Sequence, residues 1–239
     1  MTESTVSIGL LLPDLLGTYG DNGNATILQR RLLWRGVAAE VVPVGFGDPV
    51  PSTLDIYVLG GGEDTCQALA ARHLLDDTGL RRAAGQGAVI LGVCAGYQIL
   101  GERFASTAGA MERGLGLLDV ATVPFSTRSV GEIICQPDAG LLSEPLTGFE
   151  NHQGRTTLGP DVRPLGRVVH GKGNGDGTDG VVQGRRIVGT YLHGPVLARN
   201  PDLADLLLGW AVGTQLAPLE LAEVAELRRQ RLAGVRRAA

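Results

Sequence analysis

Residues Ala88 to Leu100 read AVILGVCAGYQIL, an apolar run that stops at Gly92-Val93-Cys94-Ala95-Gly96 and resumes with helical spacing. Gly92 and Gly96 flank the cysteine two residues away on either side. A buried strand turning sharply into a helix needs this spacing, because no side chain then stands where the backbones crowd and positive φ is allowed. Such an elbow pushes Sγ out at the carboxyl end of the strand, where the next helix N-terminus offers N–H groups and positive potential to a thiolate. A small buried hydrophobe fits the same residues, so the elbow alone leaves catalysis and packing both open.

Outward from the elbow, strands and helices alternate. Val6 to Leu12 predicts a buried strand ended by Pro13, and Ile27, Leu28, Leu32 and Leu33 recur at helical spacing as far as Arg35, with Gly36 as the stop. Ala38 to Val44 predicts a second strand and Ile56 to Leu59 a third, which runs into Gly60-Gly61-Gly62-Glu63-Asp64; one helix is expected over Thr65 to Ala84. This order predicts an α/β fold, doubly wound, with a mainly parallel sheet, helices on both faces and sites at the carboxyl ends of strands. The glycine turn exposes N–H groups suited to an oxyanion, a phosphate or merely a tight turn. Phosphate is the weakest of these, since the sole lysine, in Gly171-Lys172-Gly173, is not followed by the Ser or Thr of a P-loop.

Beyond the elbow helix the pattern changes. Gly114 to Val120, Ala121 to Phe125 and Gly131 to Cys135 are short and glycine-punctuated, and predict an antiparallel extension of the sheet. Phe149 to Thr156 is a polar cluster, Gly171 to Gly180 a flexible loop without the ligand spacing of a metal site, and Arg186 to Tyr191 a strand ending at Leu192-His193-Gly194-Pro195. Pro201 to Val212 and Pro218 to Leu232 read as closing helices, each started by proline. Cys94 and His193 both fall at strand ends on the edge where an α/β site forms, so a Cys-His pair is expected; His73, His152 and His170 are its rivals.

With 239 residues, 44% of them apolar, the chain can bury a substantial core, and without repeat or linker residues 1–239 are expected to form one domain. A net charge of −4 and 4% aromatic content argue against nucleic acid. No stretch approaches the ~18 apolar residues of a membrane span, so a cytoplasmic protein is expected. Cys66, Cys94 and Cys135 form neither a disulfide framework nor a metal-ligand pattern. The terminal arginines Arg228, Arg229, Arg231, Arg236 and Arg237 are expected on a solvated helix face.

Gly92-Val93-Cys94-Ala95-Gly96-Tyr97-Gln98, with the upstream glycine turn and the late His193, resembles the class I, triad-type glutamine amidotransferases, whose sheet is flavodoxin-like. Gly148-Phe149-Glu150-Asn151-His152-Gln153-Gly154-Arg155-Thr156 resembles the G-[FY]-E-x-H-x-G-R-T motif of the cobyric acid synthase branch. Within that branch the whole chain is similar to the small glutaminase subunits of lipid II isoglutaminyl synthases. The resemblance implies hydrolysis of L-glutamine, with Cys94 as nucleophile, His193 as base, and the amides of Ala95 and Gly61 as oxyanion donors. It also implies that Gln98, Arg128, Asn151, His152 and Gln153 line the substrate pocket, Arg128 being the candidate for the α-carboxylate.

The wider class carries a glutamate two residues after the histidine, where this chain has Pro195. Either a dyad suffices or an acid comes from elsewhere, and a partner subunit is the source we expect. No cofactor is implied in this chain: ATP and any metal belong to a Mur-ligase-like partner, forming a heterodimer that amidates lipid II at the inner membrane face. The rival readings are a glutaminase for cobyrinate-type corrinoid amidation, an elbow-cysteine peptidase or chaperone-like protein, and a non-catalytic scaffold.

Overall fold

The computed structural model describes residues 5–106, 109–138, 140–219 and 221–238; the remainder of the expected 1–239 span lies outside the described residues. Four parallel neighbours open the fold: β1 (Val6–Leu11), β2 (Ala39–Val44), β3 (Ile56–Leu59) and β4 (Val89–Val93), connected through helices α1 (Gly23–Leu33), α2 (Asp64–Asp76) and α3 (Gly79–Gly85). After the elbow come α4 (Ala95–Leu100) and the strands β5 (Arg103–Ala105), β6 (Met111–Arg113), β7 (Val120–Pro137), β8 (Leu146–Leu158), β9 (Gly166–His170), β10 (Thr178–Asp179), β11 (Val181–Gln183) and β12 (Ile187–Thr190). Helices α5 (Val196–Arg199), α6 (Pro201–Val212) and α7 (Ala222–Ala238) close the chain.

The first sheet has the order β11-β12-β4-β3-β1-β2. Counting β12 as the fifth parallel strand, this is the doubly wound order 2-1-3-4-5, whose crevice opens at the carboxyl ends of the strands. Side chains alternate across it as period-two geometry demands. Ile56, Val58, Val89, Leu91 and Val93 join Leu28, Leu32, Leu203 and Leu207 of α1 and α6, while Tyr57, Leu59 and Ile90 join Ala70, Leu74, Leu80 and Ile99 of α2, α3 and α4. Both faces are covered, which is why these strands read as unbroken apolar runs. Antiparallel pairing appears twice: β11 pairs β12 at the sheet edge, and β10-β9-β7-β5-β6, with β8 on β7, forms a second sheet that is antiparallel except where β5 runs parallel to β7.

Several local expectations are corrected. The helix expected over Thr65 to Ala84 is two, α2 and α3, because Asp77 is extended and its carboxylate accepts the amides of Val50 at 3.0 Å and Gly79 at 2.6 Å. A Cβ on Gly79 would stand 1.9 Å from the Val50 carbonyl, so the break is fixed by a close approach that helical periodicity does not reveal. Gly114 to Leu118 are irregular chain without a strand, packed by amides donating to the Ile99, Leu100, Gly101 and Glu102 carbonyls. The separate strands expected at Ala121 to Phe125 and Gly131 to Cys135 are one long β7, and the polar cluster at Phe149 lies in β8. The last helix starts at Ala222, not at Pro218; Arg228 is half-buried in it, donating to the Arg199 carbonyl at 2.8 Å and to Asn200 Oδ1 at 3.0 Å.

Candidate active site

Cys94 sits between β4 and α4 at φ 52°, ψ −103°, a conformation that L side chains rarely adopt. Strain of this kind costs roughly 1–3 kcal/mol and persists only where the surroundings enforce it. Here three hydrogen bonds do so: Cys94 N–H to the Thr190 carbonyl at 2.8 Å, Gly96 N–H to the Gly60 carbonyl at 3.0 Å, and Gln98 N–H to the Cys94 carbonyl at 3.0 Å. The flanking glycines meet the crowding inferred from sequence. A Cβ on Gly96 would lie 2.6 Å from the Leu59 carbonyl, and one on Gly92 would lie 2.9 Å from the Gly96 backbone.

The elbow is thus bonded to the end of β12, and three residues beyond Thr190 that strand delivers His193. Its backbone is gripped by β8, through Phe149 N–H to His193 C=O at 3.1 Å and His193 N–H to Phe149 C=O at 2.9 Å. The imidazole is fully buried, and Nδ1 faces Asp21 Oδ2 at 2.8 Å. Asp21, also fully buried, comes from the turn between β1 and α1, the neighbouring strand ends having brought it across 172 residues of sequence. Its Oδ2 also accepts the Gly61 amide at 2.9 Å. Burial works against charge on the imidazole, but the Asp21 hydrogen bond and then the Cys94 sulfur outweigh it and raise the His193 pKa to about 10. Nε2 is buried with no hydrogen-bond partner among the described residues.

Two expectations fall here. The acid that orients the histidine is Asp21 of this chain, so neither a dyad nor a partner-supplied carboxylate is needed to complete the constellation. Gly61 cannot serve as the oxyanion donor in this arrangement, because its amide is committed to Asp21. Its missing side chain matters instead: a Cβ there would stand 2.7 Å from His193 Cε1. Among the described residues, the amides of Gly62 and Ala95 donate to no protein acceptor, and both line the cavity at Cys94.

That cavity, of about 140 Å³, lies between the elbow, the start of α2 and the β7–β8 hairpin. It brings together Cys94, Ala95, Gln98, Arg128, Asn151, His152 and Gln153 of the residues singled out in the sequence, and adds Gly62, Glu63, Asp64 and Gln67. Arg128 reaches it because β7 slips register between Pro124 and Ser129, where five positions of strand advance oppose two of β8, and the bulge carries residues 125–128 out of the ladder. Arg128 Nε donates to Asn151 Oδ1 at 2.5 Å, and Asn151 Nδ2 donates to the hydroxyl of Tyr19, whose ring packs edge-on against His193 at 4.9 Å. Gln153 is exposed at the rim, its Nε2 on the Phe125 carbonyl.

Gln98 and His152 line the cavity but are engaged inward. Gln98 Oε1 accepts from Gln67 Nε2 at 2.7 Å and its Nε2 donates to Tyr191 Oη at 3.0 Å, which in turn pairs with Thr156 at 2.7 Å. His152 stacks on Tyr191 at 3.7 Å with Nδ1 on the Gly154 carbonyl and Nε2 on Glu150, whose carboxyl is held below its usual range against the cost of burial by His152 and the amides of Gly173 and Lys172. Both residues shape the floor, with their polar atoms spent on the protein. Sequence reasoning missed Asp21, Gly62 and Gln67. The polar string Thr18-Tyr19-Gly20-Asp21-Asn22, following a buried strand on the site-forming edge, was the available signal for Asp21.

A cysteine on a strained turn, an imidazole oriented by a buried carboxylate and free amides beside the sulfur are the parts of acyl transfer through a covalent intermediate. Residues 7–201 match the model of the CobB/CobQ-like glutamine amidotransferase domain. The chain is 36% identical to the subunit GatD of the glutamine-hydrolysing lipid II isoglutaminyl synthase of Staphylococcus aureus, over 89% of this chain and 87% of that one. It is 39% identical to the cobyric acid synthase of Pelotomaculum thermopropionicum, over 69% of this chain but 33% of that one. A glutamine amidotransferase structure from Thermotoga maritima shares the fold with a TM-score of 0.55 at 17% identity, covering 98% of this chain and 96% of the other. Fold, elbow and whole-length similarity converge on one statement: this chain belongs to the CobB/CobQ-like glutamine amidotransferase family.

Proposed function

We propose that this chain is the glutaminase subunit of a lipid II isoglutaminyl synthase. It releases ammonia from L-glutamine and passes it to an ATP-dependent, Mur-ligase-like subunit that amidates D-glutamate of the lipid II stem peptide to D-isoglutamine during peptidoglycan synthesis. The observation that carries the hydrolytic half is the buried His193, fixed on Asp21 through Nδ1 with Nε2 unpartnered on the Cys94 side. Cys94 attacks the side-chain amide carbon, and the oxyanion is received by the Ala95 and Gly62 amides, each such donor typically contributing about 3 kcal/mol of transition-state stabilisation. His193 takes the thiol proton and delivers it to the departing ammonia; water, activated by the same imidazole, then hydrolyses the glutamyl thioester and frees the cysteine. Asp21 keeps the ring in the tautomer and orientation that both steps require.

Chain coverage favours this reading over corrinoid amidation. The isoglutaminyl synthase subunit is matched over 87% of its length, the cobyric acid synthase over 33%. No helix among the described residues is long and apolar enough to cross a membrane, so we place the chain in the cytoplasm, meeting the lipid substrate through its partner. Ammonia release from L-glutamine by the full chain, and its loss in Cys94→Ala, tests the hydrolysis; retained release in that variant overturns it. Identification of the protein that co-purifies with the tagged chain tests the assignment, which a corrinoid enzyme there would refute.

A further inference from the structure

The glycine-rich stretch Gly171 to Gly180 has no part in the mechanism above, yet it is anchored like core. Asn174 and Asp179 within it are fully buried. The amides of Lys172 and Gly173 donate to Glu150 at 2.7 and 2.9 Å, and the Tyr97 hydroxyl of α4 donates to Asn174 Oδ1 at 3.3 Å. At its end, Gly180 passes so close to β12 that a Cβ there would stand 2.4 Å from the Gly189 carbonyl oxygen, and this approach sets Asp179 against the end of that strand. Asp179 Oδ2 accepts the Thr190 hydroxyl at 2.6 Å, and Oδ1 accepts the Tyr191 amide at 3.4 Å. Thr190 Oγ1 in turn accepts the Leu192 amide at 3.1 Å. The Thr190 carbonyl holds the Cys94 amide at 2.8 Å, and His193 follows Leu192 in the chain. One buried carboxylate therefore fixes, through one hydroxyl, both the residue to which the nucleophile is bonded and the turn that carries the base.

Resting on the glutaminase reading above, we propose that Asp179 is a positioning residue for that reaction: acting through the Thr190 hydroxyl, its carboxylate sets the separation of Cys94 and His193. The Thr190 hydroxyl and the Tyr191 amide both donate to it, and only an ionised carboxylate accepts at both oxygens with no hydrogen of its own to place. A protonated acid, like an asparagine, turns a hydrogen toward one of these two donors. Burial raises the Asp179 pKa to about 6 against the Thr190 hydrogen bond, so the form that accepts twice is lost as pH falls through that value. The titratable groups facing Asp179 are Glu150 and His152 of β8, Cys135 of β7 and Tyr97 of α4. All four remain in the proteins compared below.

The test compares ammonia release from L-glutamine by the full chain and by Asp179→Asn, which keeps the volume, between about pH 5 and about pH 8. The ratio of wild-type to variant kcat is expected to reach at least about tenfold at the upper end, with KM within a fewfold, because a displaced base costs rate and not binding. It is expected to shrink toward one below about pH 6, where the wild type takes on the protonated form. A ratio near one throughout, a ratio constant with pH or a loss carried by KM overturns the proposal, since a merely structural role moves kcat by the same factor at every pH. Thr190→Val, which removes the hydroxyl, is expected to lower kcat as far, the double variant no further, and Thr190→Ser to recover most of the loss; additive losses overturn the route through Thr190. If one of these variants fails to fold, the other arm decides. Cys94→Ala must abolish ammonia release; release that survives it refutes the glutaminase reading instead of the positioning role.

Discussion

The two walls of the cavity are built on opposite principles. On the parallel sheet, Cys94, His193 and Asp21 sit at the ends of β4, β12 and β1, and both His193 and Asp21 are fully buried, each tied to backbone of a different element. On the second sheet, Arg128 and Gln153 are exposed on a bulged hairpin, and Arg128 is held through Asn151 to Tyr19, itself 43% exposed. On the proposed mechanism, the groups that react are over-determined, whereas those proposed to recognise substrate stand on a segment that escapes the ladder. The contrast follows from what each must do. A nucleophile and base lose rate when displaced by about 1 Å, whereas recognition of a charged end tolerates side-chain adjustment at a solvated rim.

Breaking the rigid wall is expected to have the largest effect. Asp21→Asn keeps the volume but removes the charge that fixes the imidazole, and a drop of about 10²- to 10⁴-fold in kcat, with KM little changed, is expected in steady-state ammonia assays. The same variant tests the electrostatics. The His193 pKa is raised to about 10 in the folded chain from 6.5, so the stabilisation it contributes is complete below pH 6.5 and is lost as pH rises toward 10. Urea midpoints of wild type and Asp21→Asn are therefore expected to differ most near pH 6 and to converge by pH 10; a gap that widens with pH contradicts the pairing.

Gly61→Ala comes next. Its Cβ would meet His193 Cε1 at 2.7 Å and Asp21 Oδ2 at 3.1 Å, so a shift in the ring and a loss of about 10²-fold in kcat are expected, with near-normal thermal unfolding. The smallest effect belongs to the exposed wall. Arg128→Ala is expected to raise KM for glutamine by about 10- to 100-fold while kcat stays within a fewfold, the mark of lost uniform binding. If kcat collapsed instead, the division between a reacting wall and a recognising wall would be wrong.

The strands of the parallel sheet were legible because burial on both faces leaves continuous apolar runs, and Ile56 to Leu59 matches the strand without adjustment. The elbow was legible because its glycines stand at fixed offsets about the cysteine, although only Gly92 is crowded by its own neighbourhood, Gly96 and Leu100, while Gly96 is crowded by the distant Leu59. Where a break depends on a distant partner, periodicity fails: α2 and α3 are divided by Asp77 bonding to Val50, 27 residues away. The second sheet was only half legible, since its strands are partly solvated, bulged at 125–128 and polar along β8.

The sequence by itself determined the doubly wound class, the nucleophile turn and the strand-end histidine, because each is written in local spacing: apolar runs alternating with helical periods, glycines at fixed offsets, a turn after a strand. Only the tertiary structure decided which acid holds His193, which glycine of the triplet keeps a free amide, and where Gln98 spends its hydrogen bonds. Asp21 and His193 meet across 172 residues because β1 and β3 are neighbours, as are β4 and β12, and the turns at their ends converge on one edge. Adjacency of strand ends is a property of the sheet order, and no single segment of the chain encodes it.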